Sequence, residues 1–107
     1  MEIVGIEING VHFLPYRGKN NSSGYYRAFM YYCINNYFVH IIMTESLNNK
    51  FSLAPNDPVF GQSIFYNRVE GFNGVYFSTL SGNKRKLSII KQIARILGIE
   101  VFVHTIE

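Results

Sequence analysis

A chain of 107 residues, 48% apolar, 16% charged and with a formal charge of +3, has material for one folded domain and too little charge for a disordered tail. Tyr37 to Met43 is its longest apolar run, far short of the roughly 20 residues that cross a bilayer, so no membrane partner is expected. One cysteine excludes an internal disulfide, and with three scattered histidines it offers no zinc-ligand spacing, so neither metal nor cofactor is expected.

The opening Met-Glu-Ile-Val lacks the charged-then-apolar pattern of a secretory signal. The expected location is therefore the cytoplasm, its own or a host's after delivery, with Cys33 reduced and buried among apolar neighbours. Residues 2–9 alternate as a strand, Asn9-Gly10 is a hairpin turn, and Val11 to Tyr16 should return until Pro15 stops it. A polar loop follows from Arg17 to Ser23. Either Ser22 or Ser23 could cap a helix that starts at about Gly24 and carries Ala28, Phe29, Tyr32, Cys33 and Asn36 on one face.

Residues 37–43 could be helix or strand, residues 48–58 contain two loops, and 59–70 give no clear pattern. Val75 to Leu80 reads as a short strand. Ser81-Gly82-Asn83 breaks the chain before a helix from Lys84 to Leu97, with Leu87, Ile90, Ile93, Ala94 and Leu97 as its apolar stripe. Gly98 sits where a left-handed cap ends such a helix, and Ile99, Val101 and Val103 then alternate as a strand. The fold class expected is α+β, a single domain over 1–107 with a small mixed or antiparallel sheet flanked by helices.

Two stretches carry a family resemblance. Asn21-Ser22-Ser23-Gly24-Tyr25-Tyr26-Arg27-Ala28-Phe29 resembles the nucleophile segment of OTU (ovarian tumour) deubiquitinases, with Tyr26-Arg27-Ala28 matching and Gly24 at the position of the nucleophilic cysteine. Ser81-Gly82 followed by Leu87 to Val103 resembles that family's unit of glycine turn, apolar helix and strand. Together they cover under half the chain. The resemblance implies a papain-like, OTU-like fold. It also implies a circular permutation, because the family's histidine strand comes last, whereas Gly10-Val11-His12-Phe13 resembles that strand here and precedes the nucleophile loop. His12 is then the general-base position. Leu14 stands where the family often has Asp or Asn, a departure from an intact triad.

Thiol peptidase chemistry needs a thiolate beside an imidazole at a helix N-terminus. Glycine supplies no sulfur. Ser22 and Ser23 are displaced from the position, and Cys33 lies more than two turns along the helix. The resemblance therefore implies a pseudoenzyme that binds a protein, ubiquitin or a ubiquitin-like protein among the candidates, with Ser22, Ser23 and Tyr25 near the site. An active deubiquitinase captured as a substitution at Gly24 is a further alternative. Inactivating changes are more often to Ala or Ser, which favours a natural glycine.

A different class of function follows from Lys84-Arg85-Lys86, extended by Lys91 and Arg95 at turn spacing. Cations at a helix N-terminus oppose its dipole, and a bound anion would relieve that conflict. This strip suits a small basic module that docks on RNA or a ribosome through phosphate contacts. His40 and His104 read as structural residues.

Overall fold

The computed structural model describes residues 1–61, 69–79 and 81–107. It is an α+β chain, and the described residues form two small antiparallel sheets and three α-helices. The backbone divides into two units, Met1–Met30 with Gly82–Glu107, and Tyr31–Ser81.

In the first unit, β1 (Glu2–Ile8) is the middle strand of three. Asn9 and Gly10, at φ 51° and 80°, make the expected tight turn into β2, which pairs over Val11–His12 only. The return is shorter than the sequence suggests because Pro15 has no amide to give the ladder and the chain leaves into a 3-10 turn at Tyr16–Gly18. On its other edge β1 pairs antiparallel with β5 (Val101–Ile106), with an irregularity between Ile3 and Gly5. Ile3, Ile6 and Ile8 are buried. Gly5, Glu7, His12, Phe102 and His104 share the opposite face by register.

Helix α1 (Ser22–Asn36) buries Ser22, Tyr25, Tyr26, Phe29, Met30, Cys33 and Ile34. That stripe is turned from the expected one, in which Ala28 and Tyr32 faced inward; both are partly exposed. The cap also differs. Asn21 Oδ1 accepts from the Gly24 amide at 2.8 Å, while the buried Ser22 hydroxyl accepts from the Ile3 amide at 2.7 Å. Asn21 reaches the third amide of the helix, and Ser22 is committed to β1.

Helix α3 (Asn83–Leu97) ends as expected at Gly98, which adopts φ 70° and returns its amide to Ala94 and Arg95. Its buried residues are Lys86, Ile89, Ile90, Ile93 and Ala94. Leu87, expected in the stripe, lies half out, and Lys86 takes the inward position at 4% exposure. Its ammonium stands 5.6 Å from the centre of the Tyr26 ring, a cation–π geometry that a long aliphatic stem makes accessible.

The second unit contains the end of α1, the short helix α2 (Phe38–Met43), which resolves the ambiguity of the 37–43 run, and a hairpin of β3 (Val69–Phe72) and β4 (Val75–Ser78). Asn73 and Gly74, both at positive φ, form its turn. Ser52 joins β4 by a bridge to Tyr76. Asp57 accepts from the Ser52 hydroxyl at 2.6 Å and from the Val59 amide at 2.9 Å, which sets the turn at Pro58–Phe60. Residues 62–68, within the unpatterned stretch, and Leu80, the expected end of β4, lie outside the described residues.

Glu2 ties β1 to both long helices. Its carboxylate accepts from the Ser22 amide at 2.5 Å and from the Asn83 side chain at 3.3 Å. Hydrogen bonds from Ser22, hydroxyl first and amide second, hold its pKa below the ordinary 4.5. A lowered folded-state pKa adds stability that is present above the ordinary value and is lost as pH falls through the folded value. Thermal unfolding followed by circular dichroism should therefore show a melting temperature that falls as pH drops below about 4.5, and Glu2→Gln should flatten this acid limb. Ser22→Ala leaves the Ile3 amide without its acceptor and should cost about 1–3 kcal/mol in urea unfolding.

Candidate functional site

Three places hold the residues singled out by the sequence. The first is the entry to α1. Gly24 is buried in the first turn, and the Lys19 carbonyl oxygen fills the space beside it. A Cβ at position 24 would lie 1.8 Å from that oxygen. The turn is fixed from both sides: Asn21 donates its amide to the same Lys19 oxygen at 2.8 Å, and the Tyr25 hydroxyl donates to Asn20 Oδ1 at 2.9 Å. Residue 24 can thus carry no side chain unless this loop moves. Ser23 is partly exposed and Ser22 is buried with its hydroxyl occupied. Cys33, the chain's single cysteine, is fully buried, and desolvation pushes its thiol pKa well up.

The second place is the outer face of the three-stranded sheet. His12 is on the edge strand with its side chain 78% exposed, and Leu14 beyond it is largely exposed. The neighbours of His12 are Glu7, directly across the ladder, and His104 from β5. Glu7 Oε2 is 2.7 Å from His104 Nε2, and Glu7 Oε1 is 3.9 Å from His12 Nε2. The two imidazoles lie nearly parallel, 6.1 Å between centres and 19° apart in plane, and Phe102 sets its edge against His104 at 4.7 Å. Gly5 faces His104 across the strands; a Cβ there would come within 3.3 Å of the ring, so glycine leaves room for the imidazole to lean toward Glu7. Sequence reasoning missed Glu7 and His104 here. The alternation of β1 and β5 put them on outward faces, but no local signal reveals which strands pair.

The third place is the outward side of α3. Lys84, Arg85, Lys91 and Arg95 are exposed, whereas Lys86, expected with them, points inward. Lys84, Lys91 and Arg95 line one shallow groove with Leu87, Ser88 and Gln92. They stand seven and four residues apart, so a helical rise spreads their charges over about 10 Å and then about 6 Å. No acidic residue occurs between Asn83 and Ile99 to neutralise them. Gly82 precedes the helix without a side-chain cap for its first amides.

Compared with known proteins, the chain matches no family model, no curated protein and no solved structure.

The packing at Gly24 yields a direct test. Gly24→Ala should destabilise the fold by about 1–3 kcal/mol or more in urea titration, since its methyl group must displace a backbone carbonyl. Gly24→Cys should be destabilised at least as much. A neutral Gly24→Ala would mean that the loop yields freely.

Proposed function

We propose that the chain acts by binding, not by covalent catalysis, and that its working surface is the basic face of α3, docked on a nucleic-acid backbone such as single-stranded RNA. The observation that carries this reading is the stripe of Lys84, Lys91 and Arg95 along one groove of a helix without a single acid. Like charges aligned over three turns repel one another, and a polyanion removes that cost while releasing its condensed counterions. The helix start adds to the same field, because uncapped amides and Lys84 and Arg85 all favour negative charge there. Ser88 and Gln92, between the cations, can donate to phosphate or sugar oxygens.

A second reading keeps the OTU likeness: a papain-like fold without a thiol that binds ubiquitin or a ubiquitin-like protein. Its support is the order of elements, a capped helix at Ser22–Asn36, then a glycine turn, α3, the left-handed Gly98 and β5. Against catalysis in either reading stand the filled space at Gly24 and the buried Cys33 thiol. A ubiquitin titration followed by NMR separates the two readings, because shifted peaks around α1 would favour the second.

Fluorescence anisotropy with a generic single-stranded RNA should give an affinity that falls with salt at a log–log slope of about −2, near 0.7 per neutralised phosphate for three cations. Replacing Lys84, Lys91 and Arg95 by Ala one at a time should weaken binding for all sequences alike and reduce the slope by about 0.7 each. A flat salt response in the intact chain contradicts the proposal.

A further inference from the structure

We propose that Glu7, His12 and His104 form a surface site for a divalent transition metal of the Zn²⁺ class. This inference rests on the sheet alone and stands whether or not α3 binds RNA. Two imidazoles and one carboxylate converge on the outer face of β2, β1 and β5, and each offers a ligand atom within 4.8 Å of the other two. A tetrahedral ion with bonds of about 2.0–2.1 Å wants its donors a little over 3 Å apart. The observed spacings, 2.7 Å from Glu7 to His104 and 3.9 Å from Glu7 to His12, lie on either side of that requirement.

Closing the site needs His104 to relax outward and His12 to swing inward by about an ångström. Both motions are open to side chains on a solvated face, and His12 is the freer of the two. In the metal-free arrangement His104 Nε2 and Glu7 Oε2 are hydrogen-bonded; metal binding replaces that contact, the neutral imidazole carries its N–H on Nδ1, and both atoms turn to the ion.

The donor set selects the class of metal. Two imidazoles favour Zn²⁺, Ni²⁺ or Cu²⁺ over Mg²⁺ or Ca²⁺, which prefer oxygen throughout. Three protein donors leave a fourth position to water or to a side chain brought by a partner, and the depression next to Glu7 and His104, lined by Gly10, Glu100, Val101 and Phe102, gives it access. The scaffold is stiffest where it must be, because β1 and β5 pair along nearly their whole length and hold Glu7 and His104 in register. A metal would tie the two-residue edge strand β2, and with it the loop toward α1, to β5.

The histidine spacing of 92 residues and the position of Glu7 at the other end of the chain explain why no linear motif announces the site. The third histidine, His40, lies on α2 in the other unit and serves as an internal control.

The test is isothermal titration of ZnCl₂ into the untagged full chain in a buffer that does not chelate, with backbone NMR to assign the site. The expected result is one ion per chain, with shifts at Glu7, His12 and His104 and none at His40. His12→Gln and His104→Gln should each weaken binding at least tenfold, and His40→Gln should leave it unchanged. If His104→Gln fails to fold, His12→Gln decides alone, since a side chain so exposed carries no core. Zn²⁺ binding equal in the chain and in His12→Gln, or no saturable binding at all, overturns the proposal.

Discussion

Strand β1 gives hydrogen bonds on both of its edges, to β2 on one side and to β5 on the other, and the first unit is arranged by that fact. The pairing decides which residues look inward and which look out. Ile3, Ile6 and Ile8 enter the core, and Glu7 therefore has to face solvent between a histidine from each neighbour. The same strand begins with Glu2, whose carboxylate meets the first amide of α1 and the Asn83 side chain at the start of α3. A shift of one residue in the β1–β5 register would bury Glu7 and expose the isoleucines, so the outer face and the helix clamps are consequences of one alignment.

From this alignment follow two surfaces of different chemistry. The sheet face presents imidazole and carboxylate beside the exposed Phe102, a set suited to a soft or borderline cation. The outer side of α3 presents cations and no acid, a set suited to an extended anion. Neither needs a reactive thiol. The entry to α1 is a tightly packed turn in which the Lys19 carbonyl oxygen and Gly24 fit because residue 24 has no side chain.

Much of this was legible in the sequence where the signal is local. Asn9-Gly10 and Gly98 have conformational demands of their own, so the first hairpin and the end of α3 were readable from single residues. The α+β class followed from the same local patterns. Long-range chemistry was not readable. Ser22 looked like a helix cap, but its hydroxyl is taken by Ile3, nineteen residues earlier. Lys86 looked like part of a solvated basic run, but its stem is buried and its ammonium sits against Tyr26. His104 looked structural because its partner Glu7 lies 97 residues away, across a strand pairing that periodicity does not encode. His12 stands out in the sequence, yet its neighbours in space are Glu7 and His104, which no local motif around it reveals.

If α3 is the working surface, RNA must perturb its outer face first. Two-dimensional NMR of the isotope-labelled chain, titrated at low ionic strength with a short single-stranded RNA, addresses this residue by residue. The largest shifts are expected at Lys84, Ser88, Lys91, Gln92 and Arg95, with Lys86 nearly still. Shifts confined to residues 31–81, or a spectrum that does not move at all, would contradict it.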